Sequence, residues 1–443
     1  MRPVAASSPS FLRAAFPDLS ARAEQVVLQA WELVRRPAGP GQVSPWERVE
    51  RVQAANVARV LRAFHQVGAS AGFLEGTTGY GYDDPGRHAL EQAYALLFGG
   101  EAALVRPQLV SGTHALACAL FGVLRPGDRL VVATGWPYDT LWPVLGLVPP
   151  GAGQEAPHPG SLREWGVQVE VVPLGPEGRV DAQAVAAALD RPTRMVLVQR
   201  SCGYSWRPSL SVDEIGELCR LVQRRSPGTV VLVDNAYGEF VETREPGAVG
   251  ADLVAGSLIK NPGGGLAPSG GYLVGRAELV ARAAARLTAP GLAAEVGPSL
   301  GVGRWLWMGL FLAPQVVGEA LAGAVWAAAA FRIAGFAVLP EPEAPRADTV
   351  QAVRAGSQAR AMAIVTGIQR ASALDARALP HPARLPGYRD SIVMAGGTFV
   401  QGASSELSAD LPLRPPFDVY IQGGLSRYHV AAGVARALDE LWR

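Results

Sequence analysis

Apolar positions recur at helical spacing through Ala23–Val34 and again through Val49–Phe64. That period gives a helix one buried face. Pro37, Pro40 and Pro45 separate the two stretches, so residues 1–65 read as an N-terminal helical arm. From about residue 87 the rhythm changes. The helical stretch Gly86–Phe98 leads into short apolar runs at Ala103–Val110, Arg129–Thr134, Val167–Pro173, Met195–Gln199, Val230–Asn235, Leu253–Ser257 and Gly271–Val274. Helical stretches at Ala115–Leu124, Ala182–Leu189 and Val212–Arg224 alternate with them. Short apolar strands alternating with helices predict a mostly parallel sheet covered on both faces, here over residues 66–300. Ligands bind such sheets outside the carboxyl ends of the strands.

The remainder, 301–443, opens on a long apolar helix expected over 298–335. Its core, Trp305–Phe331, contains Pro314, Gln315 and Glu319. A carboxylate in lipid is costly, so a buried helix linking two domains, or lying at a subunit interface, is preferred to a membrane span. Elements at Ala337–Leu339, Ala347–Ala355, Gln358–Ala371, Val393–Val400 and Val419–Gln422 predict a smaller α+β domain. Leu374–Tyr388, with Pro380, Pro382 and Pro386, reads as a surface loop. No internal repeats appear.

Charge narrows the function. The net charge is +1, which indicates no general attraction to polyanions, and no basic run resembles a nucleic-acid footprint. Cys118, Cys202 and Cys219 lack metal-ligand spacing and are too few for a disulfide scaffold. They read as small buried residues, and no metal is expected. No apolar run follows a basic start at the N-terminus, so a reduced, cytoplasmic protein is expected, without membrane or nucleic-acid partners.

One residue type changes the picture. Of 40 basic residues, 39 are arginine and one is lysine, Lys260. Where a fixed positive charge suffices, this chain uses arginine. An imine to an aldehyde cofactor needs a primary amine that can lose its proton, and guanidinium does not do so. Asparagine is almost as rare: Asn56, Asn235 and Asn261. Asn261 follows the lysine, and Asn235 ends an apolar run.

Three further features sit at strand ends. Ser111-Gly112-Thr113 lies between a strand and a helix, where backbone N–H groups and the helix N-terminus favour an anion. Asp234 ends Val230-Val231-Leu232-Val233 and precedes Lys260 by 26 residues. A buried carboxylate needs a partner; a pyridinium N–H is one, a helix cap or salt bridge another. Tyr138, in Trp136-Pro137-Tyr138-Asp139-Thr140, is placed to stack on a ring or to be an ordinary surface tyrosine. Ser257 would offer a hydroxyl to a phosphate. The glycines of Gly256-Ser257-Leu258-Ile259-Lys260-Asn261-Pro262-Gly263-Gly264-Gly265 would allow backbone to approach a ligand.

At these residues the chain resembles the aluminium-resistance, or methionine gamma-lyase-like, family within the fold-type I pyridoxal phosphate (PLP) enzymes of cysteine and methionine metabolism. The resemblance runs from about residue 60 to the C-terminus. It is carried by Thr77-Thr78-Gly79-Tyr80-Gly81-Tyr82-Asp83-Asp84, Val105–His114, Gln199-Arg200-Ser201, Gly203–Pro208, Val233-Asp234-Asn235, Tyr237–Phe240, Gly256–Gly265, Thr398–Gly402 and Glu406–Ser408. It implies a fold-type I α/β architecture with PLP on Lys260, Asp234 at the ring nitrogen, and Ser111, Gly112, Thr113 and Ser257 around the phosphate. Tyr138 would be the stacking tyrosine. Tyr80 would enter the active site of a neighbouring subunit, which implies a homo-oligomer, dimer or tetramer. The related lyases carry an arginine two residues after that tyrosine; here Tyr82 stands there, and Arg87 is the nearby substitute. They also carry Ser or Thr before the lysine, where this chain has Ile259. Arg414 is the candidate for the substrate carboxylate, with Arg200 and Arg207 as rivals.

The implied reaction is elimination of a thiol from a sulfur-containing amino acid, with Lys260 moving the alpha proton and Tyr138 protonating the leaving sulfur. Transamination, racemisation or retro-aldol cleavage on the same scaffold, or a non-catalytic stress protein, are the alternatives, because fold does not decide reaction.

Overall fold

The apolar runs are short, rich in Val and Leu, and buried on both faces. These are the requirements of a strand inside a doubly covered sheet. The computed structural model describes residues 11–37, 39, 41–148 and 157–443; residues 1–10 of the expected arm, and Pro40, lie outside these. Seven strands form one sheet: β1 Ala102–Arg106, β2 Arg129–Val132, β3 Gln168–Val171, β4 Met195–Gln199, β5 Val230–Asp234, β6 Leu253–Ser257 and β7 Gly271–Gly275. Their order is β1-β7-β6-β5-β4-β2-β3. All neighbours are parallel except β7, which runs antiparallel to β1 and β6. The segment from β6 to β7 carries Lys260 and turns back without a crossover helix, so the return strand is antiparallel.

The first run was expected to extend to Val110, but β1 stops at Arg106. Pro107 follows, and the Arg106 guanidinium is buried against Glu91 at 2.7 Å. The helix Gly112–Val123 then begins on Ser111, whose hydroxyl accepts from His114 N at 3.0 Å. Such a cap satisfies one of the free N–H groups of a helix start.

A second sheet is entirely antiparallel: β8 Ala337–Leu339, β9 Val350–Arg354, β10 Ile392–Ala395, β11 Ser408–Pro412 and β12 Asp418–Gln422, in the order β10-β11-β12-β9-β8. β10 ends before the expected Val400, because Gly396 takes φ 127° and breaks the ladder. β11 was not expected; Asp410 and Pro412 mask its pattern. The helices Ala277–Leu287 and Arg427–Trp442 were also missed. Both are alanine-rich, so apolar and polar positions contrast weakly.

The long apolar helix is Gly303–Ile333. By length and composition it is the one helix among the described residues that would cross a membrane, and most of it is buried. The helices Ala21–Val34 and Pro45–Gln66 cover part of it, with Trp326 Nε1 donating to Val27 O at 2.9 Å and Trp46 Nε1 to Ala322 O at 3.0 Å. Glu319 is paired with Arg427 at 2.9 Å. The same helix supports the Lys260 segment. A Cβ on Gly309 would fall 2.3 Å from Gly263 O, and one on Gly264 would fall 2.3 Å from Gly309 O. At Gly264 and Gly309 glycine is therefore required for close backbone packing of the Lys260 segment against the helix.

Gly309→Ala should force this contact apart and lower stability by about 1–3 kcal/mol. Urea denaturation measures it; an unchanged midpoint would refute the packing role.

Candidate active site

The carboxyl ends of β4, β5 and β6 lie side by side, Gln199 opposite Asp234 and Asp234 opposite Ala255. Together with the start of helix Gly112–Val123 they bound a cavity of roughly 260 Å³. Ser111, Gly112, Thr113, Ser257, Asp234 and Lys260 line it, and so do the rings of Tyr138, Tyr237 and Tyr388. The expected phosphate-cup residues, lysine, aspartate and stacking tyrosine thus share one space.

Asp234 is 9% exposed. One carboxylate oxygen accepts from Ala236 N at 3.2 Å, and it forms no ion pair among the described residues. Burial raises its pKa to about 6, against the pull of the Ala236 N–H, Lys260 and Arg207. Lys260 lies beyond the end of β6, with Nζ donating to Tyr237 Oη at 2.7 Å and sitting 4.1 Å from that ring's centroid. Burial lowers its pKa, partly offset by the field of Tyr388, Asp410, Glu239 and Asp234. A desolvated amine is closer to its neutral, reactive form. Tyr237 holds φ at 72°, a strained value for a bulky residue, and such strain clusters at functional sites.

The anion end is lined by small residues. A Cβ on Gly112 would lie 3.3 Å from Ser257 Cβ, so glycine there brings the helix start close to β6. Thr113 and Thr140 share a hydrogen bond at 2.8 Å. Tyr138 is fixed through its backbone N–H, which donates to Gln199 Oε1 at 2.6 Å.

The arginines lie elsewhere. Arg200 is fully buried beside Glu242 at 2.7 Å and Glu245 at 3.5 Å. Arg207 donates to the carbonyls of Gln199, Ser201 and Pro208. Arg87 donates to those of Gly81, Gly297 and Glu295. None of the three lines the cavity, because folding needs them to satisfy buried oxygens. Arg414 binds Asp390 at 2.8 Å and Tyr204 O at 2.7 Å, with its side chain 35% exposed. Tyr80 is 73% exposed and belongs to a surface turn within this chain.

Tyr237, Tyr204, Tyr388 and Asp410 received no role from the sequence. Tyr237 and Tyr204 fall inside segments that carry the family resemblance, which was the available signal. Tyr388 ends the loop read as surface. That loop docks at its end, where a Cβ on Gly387 would lie 3.3 Å from Thr140 Cα.

A mostly parallel sheet with a lysine and a carboxylate at its carboxyl edge, completed by a smaller antiparallel domain, is the fold class of pyridoxal phosphate lyases. The chain belongs to the methionine gamma-lyase family, whose sequence model, described as Methionine gamma-lyase, matches residues 38–442. The Bacillus subtilis protein YnbB is 47% identical over 395 residues, 89% of this chain and 92% of its own. A crystal structure of a carbon–sulfur lyase involved in aluminium resistance, from Clostridium novyi, is 37% identical with a TM-score of 0.89 over 97% of each chain. The L-methionine gamma-lyase of Pseudomonas putida matches more locally, at 30% identity over 199 residues, 45% of this chain and 43% of its own. The resemblance read from the sequence and the fold it implied are met, and the protein is an enzyme of a carbon–sulfur lyase family.

The buried carboxylate gives a pH signature in the cofactor-free protein. With a folded pKa of about 6 against an ordinary 3.8, the folded state binds a proton between these values that the unfolded state does not. Stability therefore falls as pH rises through that window. Asp234→Asn should be more stable than the parent at pH 8, by up to about 3 kcal/mol, and lose that advantage below pH 4. Thermal melts of both across pH test this; parallel profiles would refute it.

Proposed function

We propose that this lyase holds PLP on Lys260 and eliminates a thiol from a sulfur-containing amino acid, at the beta or the gamma carbon. The observation that carries the reading is the shared cavity: a desolvated lysine and a strand-end carboxylate without an ion pair, opposite a helix N-terminus. The residues fit the group. Asp234 is a buried acceptor to which a ring N–H would supply a partner. The small residues Ser111, Gly112 and Thr113, with Ser257, would take the phosphate on backbone N–H and hydroxyl donors. Tyr138 would cover the ring face, and Tyr237 would hold Lys260 by its phenol.

When bound, PLP supplies an electron sink for the pair left by a departing alpha proton. Lys260 Nζ, its pKa lowered by burial, would be the base in reach of that proton. The Asp234 carboxylate would keep a proton on the ring nitrogen. A gamma elimination needs a second abstraction, at the beta carbon, for which Lys260 is again the base in reach. With water, the products are a thiol, ammonia and a 2-oxo acid. Arg414 is our choice for the substrate carboxylate: it too is paired, with Asp390 and the Tyr204 carbonyl, and does not line the cavity, but its side chain is partly exposed where Arg200 and Arg207 are buried. Arg87, whose donors are taken by carbonyls, is not supported as a phosphate ligand by its surroundings. The exposure of Tyr80 supports its insertion into a neighbouring subunit, and so a homo-oligomer.

Purified enzyme supplied with PLP should absorb near the visible edge and release thiol from cystathionine, cysteine or methionine. Lys260→Ala should abolish the absorbance and cut thiol release at least ~10²–10⁴-fold. A colourless parent protein would refute the cofactor assignment, and an amino-acid panel giving only transamination or racemisation would refute the elimination. Separately, Arg414→Ala should raise KM about 10–100-fold with kcat little changed, the value of a charged hydrogen bond. Steady-state kinetics that leave KM unaltered would remove Arg414 from the substrate site.

A further inference from the structure

We infer that Tyr388, rather than Tyr138, is the cavity-facing end of a chain of three phenols that carries one proton between the substrate and Asp410. The inference rests on the lyase reading and adds to it the route of the proton.

The geometry is a line of hydrogen bonds. Tyr388 and Tyr138 meet hydroxyl to hydroxyl at 2.7 Å. Tyr138 Oη donates to Tyr204 Oη at 3.1 Å, and Tyr204 Oη donates to Asp410 Oδ2 at 2.9 Å. Gln422 Nε2 donates to the same oxygen at 3.0 Å. Each phenol has one proton to give. With Asp410 ionised, Tyr204 must donate to it, which commits Tyr138 to Tyr204 and Tyr388 to Tyr138. Every proton then points away from the cavity. Tyr138 has none left for a leaving group, and the free lone pairs at the cavity end belong to Tyr388.

Adding one proton reverses the whole line. Asp410 then donates to Tyr204, Tyr204 to Tyr138 and Tyr138 to Tyr388, and the Tyr388 O–H is free to donate into the cavity. Tyr204 is 8% exposed and Asp410 6%, so the inner end is shielded from bulk water. The titratable groups facing Asp410 are Tyr204, Tyr138, Tyr237 and Tyr388, together with Lys260. Burial holds the Asp410 carboxyl above its ordinary range, so gaining a proton is within reach.

The chemistry needs such a device. An amino acid arrives as an ammonium and must lose a proton before its nitrogen can act as a nucleophile. In the proposed step that proton passes to Tyr388 Oη, and each phenol hands its own inward until Asp410 Oδ2 is protonated. When the carbon–sulfur bond breaks, its electron pair leaves with sulfur. The thiolate takes the Tyr388 proton, the line shifts back, and Asp410 is again a carboxylate. No electron is gained or lost by the protein.

Calorimetric titration of the holoenzyme with L-alanine, which has no leaving group, in two buffers of different ionisation heat counts the protons released on binding. Asp410→Asn and Tyr388→Phe should each release close to one more proton per site than the parent. In both, thiol release from cystathionine should fall about 10²-fold in kcat, with KM and the cofactor absorbance little changed. Tyr388→Phe, which keeps the ring in its partly buried position, keeps the test alive if Asp410→Asn does not fold. A cluster serving only to tie the small domain to the large one would leave proton release equal to the parent's, and that result overturns the inference. If the variants differ in proton release while the parent eliminates no thiol from any sulfur amino acid, the relay stands and the lyase reading fails.

Discussion

An ionisable amine and a carboxylate buried at one sheet edge cost free energy unless something offsets the loss of water. Lys260 and Asp234 are in this position, and neither is paired as a salt bridge among the described residues. The cost is tolerable because the edge is built from elements that cannot relax. β4, β5 and β6 are buried at every position. The segment carrying Lys260 rests, backbone on backbone, against the helix Gly303–Ile333 at Gly309. Removing a side chain at Gly264 and Gly309 gives up conformational restriction of the unfolded chain and gains an approach that no larger residue permits. The long helix is thus the floor under the lysine, and its apolar length follows from what packs on it.

The sequence made the large domain legible and the small one less so. β4 and β6 coincide with their apolar runs because parallel strands covered on both faces have little choice of composition. Lys260 was legible because the chain's one lysine stood just past a strand end, and Asp234 and the Ser111-Gly112-Thr113 turn because a carboxylate and small residues closed apolar runs. The tyrosines were not. Tyr388 lies in a proline-rich stretch that looks like any exposed loop, and only the docking of Gly387 on Thr140 turns its hydroxyl inward. Asp410 sits in a strand whose polar residues hide its period. Arg87, Arg200 and Arg207 were attractive as anion ligands for their charge alone, but charge does not reveal which carbonyls and carboxylates the fold must satisfy.

The two domains are therefore joined at the site by polar contacts as well as by the long helix. Tyr138 and Tyr204 come from the large domain, Tyr388 and Asp410 from the small one, and their hydroxyls meet without an intervening charge. Three phenols ending on one carboxylate form a network whose donors are all used, which is the condition for a buried polar cluster to order a structure. A hydroxyl network also has two directions of equal hydrogen-bond count, which an ion pair does not. The same contacts can hold the domains together while leaving the position of one proton free to change.

This bears on the composition with which the chain began. Arginines at structural positions act where permanent charge and a rigid fork of donors are useful: Arg106 against Glu91, Arg200 against Glu242 and Glu245, Arg427 against Glu319, and Arg207 across three carbonyls. A lysine at those positions would lose donors and titrate more readily when desolvated. At position 260 the argument reverses. Under the proposed chemistry, permanent charge there would block nucleophilic attack. A chain that uses arginine for every structural cation and keeps lysine for one site has separated holding a charge from giving up a proton, and the second task is the one the proposed chemistry would require.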